Sequence, residues 1–75
     1  MRERTIMNIE WVDGYKITVK AEGNEVLISA NIQGLLSLAK QLAALAKEEA
    51  GSHIHYDEYN SLEDGSADLI IEKTE

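Results

Sequence analysis

The chain lacks cysteine, phenylalanine and proline, and Trp11 is its only tryptophan. Without cysteine it can form no disulfide, no thiolate zinc site and no cysteine nucleophile. Its glycines stand singly, so no glycine-rich loop is present to hold a phosphate. Hydrophobic residues make up 44 % of the chain, a fraction typical of folded proteins. With a length of 75 residues, this predicts a single domain covering residues 1–75.

Segments that would target or anchor the chain in a membrane are also missing from the pattern. The first six residues carry charges of both signs and no apolar stretch of the signal-peptide type. The most apolar stretch, residues 35–46, contains Ser37, Lys40 and Gln41 and is too short to cross a bilayer. We therefore expect a cytoplasmic protein without a membrane partner.

Negative charge is concentrated in the last third of the chain. The formal charges of residues 1–47 sum to +1. Residues 48–75 contain nine acidic residues and one basic residue, Lys73, so their charges sum to −8. The two parts together give the net charge of −7. Such a surface repels nucleic acid and anionic lipid and attracts cationic partners. The expected partner is thus a protein with a basic surface.

Alternating apolar and polar residues predict five strands around one helix. Asp13-Gly14 is typical of a two-residue type I′ turn and Glu22-Gly23-Asn24 of a second turn, so the first three strands should form a meander. In the third strand, Val26 and Ile28 should face inward. The predicted strands cover Thr5–Val12, Tyr15–Ala21, Glu25–Ala30, His53–Glu58 and Asp68–Lys73.

The helix should begin after Asn31 as N-cap and continue to about Ala50, with Gly51 following it. Gly34 weakens its first turn and permits close approach to a strand. The predicted fold is α+β, in the order β-β-β-α-β-β, with the helix packed on one face of a mainly antiparallel sheet. The helix surface expected to lie on the sheet is apolar and consists of Ile32, Leu35, Leu36, Leu38, Ala39, Leu42, Ala43, Leu45 and Ala46.

The run from His53 to Asp57 raises the question of a metal. On a strand, His53, His55 and Asp57 share one face, with Ile54 and Tyr56 on the other. Imidazole and carboxylate groups bind zinc, but the two ends of this run lie about 13 Å apart at about 3.3 Å per residue. We favour a solvent-facing polar strand, followed by a partner contact, with a metal site using His53 and His55 as the third alternative.

Catalysis finds little support in the residue pattern. Ser52 and His53 are adjacent on a strand and point to opposite faces, so no base is oriented toward the hydroxyl. Paired carboxylates such as Glu48/Glu49 are frequent, but acid–base catalysis needs one of them desolvated in a cleft, for which so small a domain has little volume. We expect neither an enzyme nor a cofactor.

The acidic segment combines negative charge with tyrosine. Its charges could simply solvate a loop and protect strand edges, which is the common use of such residues. Tyrosine within an acidic rim is, however, typical of a surface that binds a basic protein. The residues expected to contact that protein are His53, His55, Tyr56, Asp57, Glu58, Tyr59, Glu63 and Asp64.

Residues 51–73 contain a His-x-His-x-Asp-Glu run at residues 53–58, a Gly-Ser step at residues 65–66 and a Leu-Ile-Ile strand at residues 69–71. In these three features the segment resembles the immunity-protein 32 family of bacterial polymorphic-toxin systems. It implies a small antitoxin that binds a cognate toxin, and no catalytic residue. The residues that match are His53, His55, Asp57, Glu58, Gly65 and Ser66, of which Gly65 and Ser66 are expected to form the turn before the last strand.

These observations favour an immunity protein that blocks a toxin through an acidic, tyrosine-bearing C-terminal surface. Two alternatives from other classes stay open. One is a metal-binding domain that uses His53 and His55. The other is a structural or regulatory domain that dimerises through a sheet edge.

Overall fold

The computed structural model describes residues 4–5 and 9–75. Its elements are β1 (Arg4–Thr5), β2 (Ile17–Glu22), β3 (Glu25–Ala30), α1 (Ile32–Leu45), β4 (Ser52–Tyr56) and β5 (Leu69–Glu72). The fold is α+β, with antiparallel hairpins β2–β3 and β4–β5 on either side of the helix in the chain. The predicted α+β class is therefore confirmed, and the two hairpins and the helix follow the order β-β-α-β-β, whereas the predicted order was β-β-β-α-β-β.

The sequence predicts one sheet, but the five described strands form two. Strands β2 and β3 form a two-stranded sheet, and β1, β4 and β5 form a three-stranded sheet in that order. In the latter, β1 is a two-residue strand that pairs with β4 in parallel, Arg4 opposite Ser52. The mainly antiparallel pairing was predicted correctly, but the prediction of a single sheet was wrong, because among the described residues β1 pairs with β4 and β2 pairs with β3 alone.

The predicted first strand, Thr5–Val12, is described only in part, and of its described residues only Thr5 lies in a strand. Residues 6–8 lie outside the described residues, and residues 9–12 are not in a strand. Their backbone groups bind the helix instead, since the Val12 amide donates to Ser37 Oγ at 2.8 Å and the Glu10 carbonyl accepts from Gln41 Nε2 at 2.8 Å. Hydrogen bonds that a strand neighbour would have made are therefore made by helix side chains.

The turn at Asp13-Gly14 forms, but with another geometry. The Tyr15 amide donates to the Val12 carbonyl at 3.2 Å, and Gly14 has a φ of 86° while Asp13 does not have positive φ. A type I′ turn needs positive φ at both central residues, whereas positive φ at the second alone is typical of type II. A type II turn does not match the twist of paired strands. This agrees with the observation that residues 9–12, which precede the turn, are not in a strand.

Helix α1 begins as predicted and ends earlier. Asn31 is the N-cap, and its Oδ1 accepts from the Gly34 amide at 2.8 Å. The helix stops at Leu45, five residues before the predicted end near Ala50. Lys73 Nζ donates to the carbonyl oxygens of Ala46 at 2.8 Å and Glu48 at 2.6 Å, so a cation from beyond β5 satisfies the free carbonyls at this helix end.

The helix face that lies against the sheets is not the apolar one. The buried residues of α1 are Gly34, Ser37, Gln41 and Leu45, so of the predicted core surface Leu45 is buried and Leu38 half-buried, whereas its other leucines and Ile32 are exposed. A Cβ at Gly34 would lie 2.8 Å from the Lys16 carbonyl oxygen and 2.9 Å from the Ala30 Cβ. The predicted close approach of Gly34 to a strand is thus confirmed, and that approach turns the apolar surface outward. The exposed large residues are Ile32, Leu35, Leu36 and Leu42.

The core lies between α1 and the two sheets. Its buried apolar residues are Ile17, Val19, Leu45, Ile54, Tyr56 and Leu62, with Ile9, Trp11 and Leu38 packed against them. Ile28 pairs with Val19 across the β2–β3 hairpin and so faces the same side. Val26 and Ile28 are nevertheless 63 % and 41 % exposed, so the prediction that they face inward was wrong. No helix in the described ranges combines the length and apolar character needed to cross a bilayer.

Candidate protein-binding surface

Residues 57–68, called here the acidic connection, join β4 to β5 and begin with an Asx turn. Asp57 Oδ1 accepts from the amides of Tyr59 at 2.9 Å and Asn60 at 3.0 Å. Asn60 in turn accepts from the Asp57 amide at 3.2 Å and donates through Nδ2 to the His55 carbonyl at 3.1 Å. The turn is therefore built by the Asp57 carboxylate, which is a structural role in addition to its charge.

The rest of the acidic connection lies along the free edge of β2. The amides of Glu63 and Ala67 donate to the carbonyls of Ile17 and Val19 at 2.9 and 2.8 Å. Ser66 Oγ accepts from the Val19 amide at 3.1 Å. These bonds satisfy the edge of β2 much as a strand would, and they hold the loop in one path across the molecule.

Gly65 and Ser66 have the turn-forming roles expected of them. Gly65 has a φ of 87°, which L side chains rarely adopt, and its amide donates to Glu58 Oε2 at 2.5 Å. Ser66 begins the approach to β5, with its amide donating to the Glu63 carbonyl at 3.2 Å. The Glu58 carboxylate is exposed, and its hydrogen bond to Gly65 joins two parts of the loop that lie seven residues apart.

Two acids of the connection make no side-chain hydrogen bond or ion pair within the described part of the chain. Glu63 and Asp64 are both exposed and lie next to each other between Leu62 and Gly65. Glu58 and Asp68 are exposed as well, whereas Asp57 is half-buried by its turn. The connection therefore presents carboxylates to solvent on a backbone fixed by hydrogen bonds.

The two tyrosines of this region lie in opposite environments. Tyr59 is 95 % exposed, while Tyr56 is 1 % exposed and lies in the core. The Tyr56 hydroxyl donates to Gln41 Oε1 at 2.7 Å, and its ring meets that of Trp11 edge-on at 6.2 Å between centroids. Burial raises the pKa of Tyr56 to about 12. Of the two tyrosines expected to contact a partner, only Tyr59 is accessible.

The two histidines share a strand face, as predicted. Ser52, Ile54 and Tyr56 are buried, whereas His53 and His55 on the other face of β4 are half-buried. His55 Nε2 lies 3.3 Å from Asp68 Oδ2, which makes an ion pair when the imidazole is protonated. Among the described residues, no three His, Asp or Glu side chains are grouped so that they could hold a metal ion.

Sequence reasoning did not find the buried polar pair on α1. Ser37 and Gln41 are four residues apart, so they lie on one helix face, which their hydrogen bonds to residues 10–12 place inward. The signal that could have found them is Gly34, since a glycine, a serine and a glutamine at positions 34, 37 and 41 mark a narrow face suited to close contact.

The described residues carry an acidic loop that is held by hydrogen bonds and bears the exposed Tyr59, a surface typical of proteins that act by binding another protein. The comparison with protein families agrees with this class. The model of the family described as Immunity protein 32 matches residues 25–74, which are 50 of the 75 residues. The chain therefore belongs to the immunity protein 32 family. The match contains β3, α1, β4, the acidic connection and β5.

No match is found among curated proteins or among solved structures. The family alone therefore carries the assignment. It is a family of immunity proteins, which implies neutralisation of a cognate toxin by a protein that is not an enzyme.

Proposed function

We propose that this chain blocks its cognate toxin by stoichiometric binding through the acidic connection, in the cytoplasm of the cell that makes both. The exposed carboxylates of Glu58, Glu63, Asp64 and Asp68 face a basic surface on the toxin, and Tyr59 enters the contact. His53 and His55 lie at its border on β4, and Asp57 is the first residue of the connection. The observation that carries the proposal is the exposure of charge and tyrosine together on a loop inside the family match.

The order of the loop supports this role. Binding through a flexible loop loses affinity because the loop must first be ordered. Here the Asx turn at Asp57, the Glu58–Gly65 hydrogen bond and the bonds to the β2 edge hold the connection in place before a partner arrives. A rigid surface of this kind loses little conformational entropy on binding.

The charge of the loop supports a basic partner. Like-signed carboxylates that face solvent accelerate encounter with a cationic surface, and this effect decreases as salt screens it. Residues 48–75 sum to −8, and the acidic connection supplies five of the nine acids. Electrostatic steering is therefore expected to govern the association rate more than the dissociation rate.

Tyr59 supplies the apolar part of the contact. Tyrosine is enriched at the energetically important positions of interfaces because its ring buries a large area and its hydroxyl forms hydrogen bonds. A ring that is 95 % exposed makes almost no contacts within its own chain. Tyr56 has no such role in the proposal because it belongs to the core.

The first experiment is co-expression with the protein encoded immediately upstream. The two proteins are expected to purify together in a fixed ratio, and the association rate should fall by at least about tenfold between low and high salt. Recovery of the two proteins in separate fractions, or an association rate that salt leaves unchanged, contradicts the mechanism.

A charge-removal pair tests the acidic connection directly. Glu63→Gln with Asp64→Asn removes two charges without touching the hydrogen bonds that shape the loop. The matched control, Glu22→Gln with Glu25→Gln, removes two exposed charges at the β2–β3 turn. We expect the first pair to slow association several-fold and the control to have little effect. Equal effects of both pairs would assign the steering to net charge instead of this loop.

Tyr59→Ala tests the anchor. Because the ring is exposed, the variant should keep the unfolding free energy of the parent chain, while its complex dissociates about ten times faster or more. Surface-based kinetics on the purified complex measure this. A complex that is unchanged by the substitution would remove Tyr59 from the contact.

A further inference from the structure

The outward side of α1 carries apolar side chains in a regular spacing. Ile32, Leu35, Ala39, Leu42 and Ala46 follow one another at intervals of three, four, three and four residues. This is the heptad spacing of a helix seam that packs against another helix. We call these five residues the outer seam.

The outer seam and the buried face of α1 are separate surfaces of one helix. At 100° per residue, the centre of the seam lies roughly 135° around the helix from the centre of Gly34, Ser37, Gln41 and Leu45. Those four residues are buried within the same chain. The seam is therefore left to solvent, with Ile32 73 % exposed and Leu35 56 % exposed.

The chemistry of the seam fits another apolar helix and offers nothing to a charged partner. No charged residue stands in the seam or at the flanking positions Leu36 and Ala43, which also face outward. Three of these seven side chains are alanine, which allows two helix backbones to approach closely. A surface of this kind is complementary to itself, as a two-fold dimer requires.

The size of the surface agrees with a dimer. The seam and its flanking residues expose on the order of 500 Å² per copy, so two copies would bury about 1,000 Å², the area at which specific interfaces begin. The helix is about 21 Å long, which gives two such helices about four layers of contact.

We propose that two copies of this chain associate through the outer seam of α1, helix against helix, on a surface separate from the acidic connection. The family match and the toxin contact proposed above do not require this pairing. The contact also differs from the sheet-edge dimer considered from the sequence, because it joins two helices and uses no strand edge.

Analytical ultracentrifugation of the chain without toxin, from about 1 to about 200 µM, tests the pairing. We expect a monomer–dimer equilibrium, and Leu35→Lys should raise its dissociation constant by at least about tenfold because a charge replaces a leucine that the dimer would bury. Leu27→Lys is the matched control, since Leu27 on β3 is a leucine of similar exposure, 59 % against 56 %. It should leave the equilibrium unchanged.

Cysteine cross-linking locates the contact, because the natural chain has no cysteine. Ala39→Cys lies at the middle of the seam and should form a disulfide-linked dimer on mild oxidation. Ala44→Cys, an exposed alanine outside the seam, should stay largely monomeric. Circular dichroism of each variant verifies the fold.

Three results would overturn the proposal. One is a wild-type chain that stays monomeric up to the highest concentration. A second is an equal response of Leu35→Lys and Leu27→Lys. The third is a monomeric chain whose toxin complex, but not its own mass, is affected by Leu35→Lys, which would assign the seam to the toxin.

Discussion

The two sides of α1 carry side chains in the reverse of the usual arrangement. The inner side, in contact with both sheets, consists of Gly34, Ser37, Gln41 and Leu45, of which only Leu45 is a large apolar residue. The outer side presents two leucines and an isoleucine at heptad spacing. A helix normally buries its apolar side, so this difference indicates that the inner side is stabilised by specific polar contacts and that the outer side is left for another surface.

The inner side of α1 can bury polar side chains because each of their polar groups has a hydrogen-bond partner. Gln41 accepts from the Tyr56 hydroxyl and donates to the Glu10 carbonyl, and Ser37 accepts from the Val12 amide while donating to the Gln33 carbonyl. Buried polar groups are tolerated when they are satisfied in this way. The following substitutions test the contrast between the two sides, beginning with the largest expected effect.

Gln41→Ala should be the most damaging. It leaves the Tyr56 hydroxyl and the Glu10 carbonyl without their partner and opens a cavity, at an expected cost of about 3 kcal/mol in the free energy of unfolding. Leu36→Ala on the outer side should cost less than about 0.5 kcal/mol in dilute, monomeric protein. Urea denaturation measures both. A larger loss for the leucine than for the glutamine would reverse the assignment of the two sides.

Tyr56 makes the inner side sensitive to alkaline pH. Its pKa is raised from 10.0 to about 12 by burial, so the neutral form is the one that the fold favours. The resulting stabilisation is complete below pH 10 and is lost as the pH rises through about 12, an expected loss of about 2 to 3 kcal/mol. Tyr56→Phe removes this titration.

The measurement is the difference in unfolding free energy between the wild-type chain and Tyr56→Phe at several pH values. Below pH 10 the difference should be constant and reflect the lost hydrogen bond to Gln41. Between pH 10 and 12 it should shrink, because only the wild-type chain carries the buried hydroxyl. A difference that does not change over this range would show that Tyr56 titrates as in the unfolded chain.

Gly34→Ala tests how closely the inner side approaches β2. Alanine normally stabilises an exposed helix position by about 0.5 to 1 kcal/mol relative to glycine. Here its Cβ would meet the Lys16 carbonyl oxygen at 2.8 Å, so we expect destabilisation by about 1 to 2 kcal/mol. The reciprocal control, Ala39→Gly on the outer side, should lose only helix propensity. A stabilised Gly34→Ala chain would mean that the helix lies farther away.

Ser37→Ala should have the smallest effect of the inner-side changes. It removes the acceptor of the Val12 amide at 2.8 Å, at an expected cost of about 1 kcal/mol. Ser29→Ala replaces an exposed serine of β3 and should be neutral. Thermal denaturation of the two variants compares them, and equal melting temperatures would indicate that water replaces the serine hydroxyl.

Much of the local structure could be predicted from the residues. The alternation of Ile17 and Val19 with Thr18, the capping role of Asn31, the opposite faces of His55 and Tyr56, and the turn at Gly65 are all present in the structure. Each depends on residues within about four positions of one another, for which backbone sterics and hydrogen-bonding patterns are sufficient.

The parts that could not be predicted depend on distant residues. The apolar surface of α1 was expected to be buried, but the bonds that orient the helix join residues 25 and 31 positions apart. In the candidate site, Tyr56 and Tyr59 are three residues apart and look alike in the sequence, yet only one reaches solvent. At the early end of α1, the Ala46 carbonyl accepts from Lys73, which lies 27 positions further along the chain.

By itself, the sequence determined the α+β class, the separation of a nearly neutral part from an acidic one, and a resemblance to immunity proteins over residues 51–73. Tertiary structure alone decided which side of α1 is buried, which tyrosine is exposed and which acids are engaged in shaping the loop. The reason is that periodicity groups side chains around an element but does not orient that element. Its orientation is set by close approach at Gly34 and by hydrogen bonds to chain segments far away in sequence.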